Sequence, residues 1–145
     1  MSPAEVAGFL DSPLTMVLAT PGAAGFPHQA AMFYVMDGSN PVFWSYRRSQ
    51  KIVNIERDPR VSCLVEDGAD YRELRGVLLA GHARLSVDPG DIERTARLLA
   101  EKYTGPVTPG DLADFRRQAD KRCVVTVDVV RVTSWDHRKL PPGRH

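Results

Sequence analysis

One stretch of the chain sets the pattern of the fold: residues 42–63 read VFWSYRRSQKIVNIERDPRVSC. The run 42–46 is aromatic and β-branched, which favours a strand. Ser49 can cap a short helix that runs to residue 56, and Asp58-Pro59 stops that helix before a new apolar run at 61–66. The stretch therefore predicts a strand, a helix and a second strand in immediate succession.

Further strands are predicted on both sides of this unit. Apolar and β-branched runs bounded by turn-forming residues mark strands at 14–20, 27–36, 75–85 and 123–132. Turn formers at 37–40 predict that the second and third strands of the chain pair as a hairpin. Capping signals and helical periodicity predict helices at 3–10, 89–103 and 111–121.

Six strands with few, short helices favour one mainly β domain over residues 1–145. An antiparallel barrel, closed or nearly closed, would remove the exposed edges that an open sheet of this kind presents. Gly76 and Gly81 lie inside a strand pattern, so we expect a bulge or a close backbone approach at each of them.

Composition excludes several classes of function. The formal net charge of +1 gives no overall field that would attract nucleic acid or an anionic membrane. The chain has neither a basic N-terminal region nor a run of about eighteen apolar residues, which disfavours secretion and membrane spanning. Cys63 and Cys123 lie in apolar runs without metal-site spacing, so we expect buried, reduced thiols in a cytoplasmic protein and no metal.

A cluster of cations and hydroxyl groups stands where the strand 42–46 meets the helix. Arg47, Ser49, Gln50 and Lys51 surround a helix start, where unpaired N–H groups and the helix dipole favour an anion. Ser49 can donate a hydrogen bond, and Lys51 adds a point charge suited to a phosphate monoester. The alternative is that these cations are ordinary solvated surface charges around a capping serine.

Four segments together resemble one known family. They are PHQAAMF at 27–33, VFWS at 42–45, SQKIVNI at 49–55 and RDPRVS at 57–62. In order and spacing they resemble the pyridoxamine 5'-phosphate oxidase-like split β-barrel flavoproteins, especially the branch that uses the deazaflavin coenzyme F-420. The resemblance continues through 76–85 and Ser134-Trp135-Asp136. It implies a six-stranded antiparallel split barrel that works as a homodimer, with a coenzyme groove lined by both subunits.

The resemblance also implies where the coenzyme is bound. The first place is the strand that lies beside the isoalloxazine-type ring. The second is the strand end and helix start that hold the linker, the phosphate and the acidic tail of the coenzyme. The third is a C-terminal segment that crosses the dimer. The residues at these places, in that order, are Gln29, Ala30 and Ala31; Trp44, Ser45, Arg47, Ser49, Gln50, Lys51 and Asn54; and Trp135 and Lys139. Relatives often have proline where Ala31 stands, and alanine leaves an additional backbone N–H there.

The function that follows from the resemblance is hydride transfer from a reduced deazaflavin to a small conjugated or heteroaromatic molecule. Such chemistry needs no protein nucleophile, because the cofactor carries the hydride. His28 and His82 are more typical of structural histidines, so we assign no catalytic acid. The alternatives are an FMN oxidoreductase acting on an amine such as pyridoxamine phosphate, a non-catalytic flavin, deazaflavin or haem carrier or sensor, and an interaction barrel without cofactor.

Overall fold

Seven strands and four α-helices make up most of the chain. The structure, a computed structural model, describes residues 1–143. The strands are β1 (Met16–Pro21), β2 (Pro27–Met32), β3 (Val35–Asp37), β4 (Asn40–Tyr46), β5 (Arg60–Asp67), β6 (Arg75–Ser86) and β7 (Arg122–Asp136). The helices are α1 (Pro3–Asp11), α2 (Gln50–Arg57), α3 (Pro89–Tyr103) and α4 (Pro109–Gln118). Short 3₁₀ turns cover Tyr71–Glu73, Ala119–Lys121 and His137–Lys139.

All seven strands belong to one antiparallel sheet in the order β2-β1-β5-β6-β7-β4-β3. The sheet curls around a common core, but β2 and β3 remain at its two edges without pairing to each other. The mainly β, antiparallel split-barrel fold expected from the sequence is therefore confirmed. The barrel is open rather than closed, because its two edge strands are separate.

The prediction of six strands was wrong by one. The predicted strand 27–36 breaks into β2 and β3, because Tyr34 turns into the core, where its side chain is fully buried and its hydroxyl donates to the Leu10 carbonyl at 2.7 Å. β2 pairs with β1 instead of the following strand. Only β3 forms the expected hairpin with β4, across the pair Asp37 and Asn40.

The core lies inside the curled sheet. Alternate residues of each strand face it, and α1 closes one end of the barrel with Phe9 and Leu10. The largest fully buried side chains include Tyr34, Phe43 and Met16. Cys63 and Cys123 are buried free thiols, and burial raises the pKa of Cys63 to about 12, so this thiol stays protonated and inert.

α1 and α3 begin where the sequence signals indicated, whereas α4 begins at Pro109, two residues before the predicted start at 111. Side chains of Ser2, Asp88 and Thr108 accept hydrogen bonds from the first turns of α1, α3 and α4. α3 packs across the outer side of the sheet, where Ile92 meets Val42 and Val124. This packing covers β4 and the first part of β7, whereas Leu78 on the outer side of β6 is not covered by any helix of residues 1–143 and stays partly exposed. Within residues 1–143, no helix is long and apolar enough to cross a membrane.

The two glycines of β6 serve close backbone approaches. A Cβ at Gly76 would collide with the indole of Trp135 on the neighbouring strand β7. At Gly81 a Cβ would collide with the Asp128 carbonyl, at the point where the register between β6 and β7 shifts. Both predictions for these glycines are confirmed.

Candidate functional site

Two serine hydroxyls meet at the start of α2, where the helix follows the end of β4. Ser49 is the residue before the helix, but its hydroxyl does not cap the first turn, unlike the side chains before α1, α3 and α4. It donates instead to the Tyr46 carbonyl at 2.9 Å and lies 3.1 Å from the Ser45 hydroxyl. The first turn of α2 thus presents backbone N–H groups that no side chain caps. Both hydroxyls can rotate toward a ligand oxygen.

Three cations converge beside these serines. Lys51 is half-buried, and its ammonium forms no hydrogen bond or ion pair with any residue from 1 to 143. Burial lowers the pKa of Lys51, and the nearby Cys123 raises it while Arg122 lowers it by smaller amounts. Arg47 also lies close to Cys123. A bound anion would offset both the free-energy cost of burying the Lys51 charge and the repulsion between Lys51 and Arg122.

Arg47 has a different role from Lys51. Its guanidinium donates to the carbonyls of Arg122 at 2.6 Å and Ala119 at 3.1 Å. These bonds tie the end of β4 to the turn that leads into β7. Arg47 therefore fixes the backbone behind the site and adds its charge from a position that is already hydrogen-bonded.

Asn54 has a bracing role: its hydrogen bonds fix helix α2 to the barrel. Its side chain is fully buried, donates to the Thr20 hydroxyl at 3.0 Å and accepts from Gln50 at 2.8 Å. Arg57 of the same helix donates to the Asn54 side chain and to the Pro21 carbonyl. Through these bonds α2 is fixed to the end of β1. Asn54 can act on a ligand only through Gln50, which is exposed at the first helical position.

Trp44 and Ser45 project to opposite sides of β4. Ser45 faces Ser49, whereas the Trp44 indole meets Phe115 of α4 edge-on, with ring centres 5.9 Å apart. The Arg122 guanidinium lies 4.0 Å from the Trp44 ring centre and 3.7 Å from that of Tyr46. Trp44 thus packs against α4, and the Arg122 guanidinium that lies over it also donates to the Gln118 side chain. The structure does not bring it to the same face as Ser45.

The three small residues of the expected ring-binding strand lie on an edge. β2 has only β1 as a neighbour, so half of its backbone polar groups face away from the sheet. Gln29 and Ala31 are exposed on the outer face, and Ala30 faces inward beside Leu18. His28 also faces inward, and its Nδ1 is buried without a hydrogen-bond partner among residues 1–143.

Trp135 and Lys139 lie far from α2 within one chain. β7 begins at Arg122 beside Tyr46 and ends beyond Trp135, which pairs with Gly76. Trp135 follows Arg122 by thirteen positions along the strand, at a rise of about 3.3 Å per position. Lys139 forms an ion pair with Glu5 of α1 at 2.6 Å. Within one chain these two residues do not join the α2 cluster.

Two contributors to the site were not predicted. Arg122 stands after the predicted helix 111–121 without any motif, and its charge lowers the pKa of Lys51 because the pairing of β7 with β4 brings it near. In the sequence, Thr20 is an ordinary β-branched residue of a predicted strand. Its hydrogen bond with Asn54 joins residues that are 34 positions apart. No local sequence signal identifies either of them.

Four cavities of the described residues lie away from this cluster. They measure 300–450 Å³, and Lys51 lines none of them. The cluster at α2 combines a buried serine, a half-buried serine and a half-buried ammonium, which have the chemistry to hold an anion.

Comparisons with known proteins agree with this fold. A family model described as pyridoxamine 5'-phosphate oxidase matches residues 2–136. A solved structure of a conserved hypothetical protein from Mycobacterium tuberculosis is 42% identical, with a TM-score of 0.90 over 97% of this chain and 89% of that one. An F-420 reductase is 28% identical, with a TM-score of 0.66 over 87% of this chain and 94% of that one.

A FAD-binding protein from Mesorhizobium loti shares the fold at 16% identity and a TM-score of 0.70, over 92% of this chain and 94% of that one. No curated protein gives a significant match. The family match spans both edges of the sheet, helix α2 and the end of β7. The chain therefore belongs to the pyridoxamine 5'-phosphate oxidase family of flavin-binding oxidoreductase proteins.

Proposed function

We propose that this protein is an oxidoreductase that uses coenzyme F-420 to transfer a hydride to a small conjugated or heteroaromatic substrate. The observation that carries the proposal is the half-buried ammonium of Lys51, without a partner among residues 1–143, beside the uncapped start of α2. A coenzyme phosphate supplies the missing anion. The choice of the deazaflavin rests on the similarity to an F-420 reductase at 28% identity.

The phosphate would be held by groups of three chemical types. The Lys51 ammonium supplies charge, the hydroxyls of Ser45 and Ser49 supply hydrogen bonds, and the first turn of α2 supplies N–H groups. Gln50 is exposed at the helix start and is oriented by Asn54. Arg47 and the exposed Arg48 add positive charge for an acidic tail.

The ring would lie along β2. Gln29 and Ala31 on the outer face and Ala30 on the inner face leave room for a planar group near the strand's backbone. Because β2 is an edge strand, its outward N–H and C=O groups can hydrogen-bond the ring. When bound, the coenzyme supplies the hydride, and these residues bind it, orient it and exclude water from one of its faces.

A homodimer would complete the groove. The outer face of β1, β5 and β6 carries a row of apolar side chains in register, namely Val17, Leu64 and Leu78, with Ala31 of β2 at its end. Leu78 is 37% exposed in the single chain. Burial of this row against a second copy would bring Trp135 and Lys139 of one subunit to the α2 cluster of the other. Buried, free thiols suit the cytoplasm as the compartment of the dimer.

A titration with two coenzymes tests the proposal. Purified protein is titrated with F-420 and with FMN while the quenching of tryptophan fluorescence is followed, for wild type and for Lys51→Ala. We expect F-420 to bind more tightly, and Lys51→Ala to weaken it by about 10–100-fold, the size expected for a lost charge-assisted contact. Arg48→Ala is the matched control: it removes an exposed cation three residues away and should change the affinity by less than about threefold.

Each other outcome points to a different function. Tighter binding of FMN would contradict the deazaflavin proposal and favour an FMN oxidoreductase. Binding of F-420 without turnover by any electron donor or acceptor would favour a carrier or sensor. Failure to bind either coenzyme would contradict all of these and leave an interaction barrel.

A further inference from the structure

A second candidate site lies at the opposite end of the barrel from α2. It is a cavity of about 370 Å³ between α1, the β3–β4 turn and the far part of β7. Its volume falls in the range of small-molecule sites. Because β7 runs from Arg122 beside α2 to Val132 at this cavity, the two sites are separated by the length of the barrel.

The walls of this cavity are apolar. The residues that form them are Val6, Ala7, Leu10, Met36, Leu79 and Val132. Leu10 and Leu79 belong to the buried core, so the floor of the cavity is rigid. Val132 is half-exposed in the open cavity. Walls of this kind favour an uncharged ring system and penalise a charged body.

The polar groups lie at the mouth and carry both signs of charge. The Asp11 carboxylate lines the cavity and forms no hydrogen bond or ion pair with residues 1–143. The nearby Lys102 ammonium donates to the carbonyls of Leu10 and Tyr34 instead. The N-terminal ammonium donates to the Ser134 hydroxyl at 3.2 Å. The unpaired Asp11 side chain favours a ligand that carries a hydrogen-bond donor, and the apolar walls disfavour a ligand with a charged body.

We propose that this cavity is a second small-molecule site, which takes an uncharged aromatic compound with one hydrogen-bond donor. The ring occupies the apolar walls, and the donor bonds to the Asp11 carboxylate. The volume accommodates roughly ten to fifteen non-hydrogen atoms. The site needs neither the coenzyme nor the α2 cluster.

Three naphthalene probes test the proposal by calorimetric titration of the full chain without coenzyme. 2-Naphthol carries the donor, 2-methoxynaphthalene lacks it, and 2-naphthoate carries a negative charge in its place. We expect 2-naphthol to bind with a Kd between about 10 µM and 1 mM. We expect 2-methoxynaphthalene to bind about 5–10-fold more weakly, because the Asp11 carboxylate then lacks its donor. 2-Naphthoate should give no measurable binding.

Variants locate the binding. Ala7→Trp and Ser39→Trp fill the cavity from opposite walls, and each should abolish binding of 2-naphthol. Ala4→Trp adds the same indole to α1 at a residue outside the cavity lining and should leave the Kd unchanged. Asp11→Ala should remove the preference for 2-naphthol over its methyl ether, and Lys51→Ala should keep it. Thermal melting checks that each variant is folded.

Each possible result of these titrations either supports or overturns the proposed second site. The proposal is overturned if 2-naphthol does not bind wild type up to its solubility limit, or if it binds folded Ala7→Trp and Ser39→Trp as tightly as wild type. Equal affinity for 2-naphthol and its methyl ether would overturn the role of Asp11. None of these outcomes affects the coenzyme proposal, whose readout is Lys51-dependent binding.

Discussion

The buried amide of Asn54 donates to the Thr20 hydroxyl at 3.0 Å and so joins helix α2 to strand β1. The same side chain accepts from Gln50, and Arg57 also reaches its oxygen. One residue without solvent contact therefore positions the helix that carries Lys51. The geometry of the coenzyme site depends on this bond as much as on the residues that would touch the coenzyme.

Replacement of Asn54 by Ala should destabilise the protein by about 2–3 kcal/mol. The change opens a small cavity and leaves the Thr20 hydroxyl and the Gln50 amide without their partner. Urea unfolding at equilibrium measures the effect. Val53→Ala, on the exposed side of the same helix, is the control and should cost less than about 1 kcal/mol. Equal losses for the two variants would contradict a bracing role.

Gly76→Ala should destabilise the protein by about 1–3 kcal/mol, because the new methyl group collides with the Trp135 indole. The emission of Trp135 should shift as the ring moves, which can be followed in a Trp44→Phe background. Gly8→Ala provides a control of opposite sign. Gly8 has open space around it in α1, so alanine should stabilise the helix by about 0.5–1 kcal/mol. A Gly76→Ala protein as stable as wild type would show that the Trp135 indole moves aside without a loss of stability.

Leu78→Glu should convert the proposed dimer into a monomer. Leu78 pairs with Leu64 across β6 and β5 on the uncovered outer face, and a carboxylate there would have to be buried without a partner. Size-exclusion chromatography with light scattering gives the mass directly. Val87→Glu changes an exposed apolar residue before α3 and should leave the dimer intact. A wild-type protein that elutes as a monomer at all accessible concentrations would contradict the dimer.

Acid should weaken the end of β7 through Asp136. Hydrogen bonds from the Arg138 guanidinium hold the pKa of Asp136 well below its usual range. A carboxyl whose pKa is lower in the folded state stabilises the fold above its unfolded pKa, and this contribution is lost as pH falls through the folded value. The Asp136 side chain is only 2% exposed, whereas its partner Arg138 is half-exposed, so solvent screens part of this interaction.

Urea unfolding of wild type and Asp136→Asn at several pH values tests this link. At pH 7 the variant should be less stable than wild type, and the gap should narrow as the pH falls below about 4. Asp70→Asn, at an exposed residue whose side chain does not cap the following turn, should show no such gap. A gap that stays constant from pH 7 to pH 3 would contradict the role of the ionised carboxylate.

Local patterns in the sequence were sufficient for most elements. Ser2-Pro3 and Asp88-Pro89 mark helix starts by capping chemistry, which acts within four residues. The capping box at Thr108 was missed, so the predicted start of α4 was two residues too late. Gly76 and Gly81 were recognisable because glycine inside a strand pattern signals a close approach. The position of Lys51 on α2 follows from the same short-range logic.

The sequence by itself determined most helix starts, most strand positions and the family motif around Ser49 and Lys51. Only the tertiary structure decided that Tyr34 interrupts the strand 27–36, that Arg122 joins Lys51, and that Trp44 and Ser45 face opposite sides. Short-range features follow from caps, turns and side-chain alternation. The others depend on which distant strands pair and on what the core can bury, and no local window of the sequence contains that information.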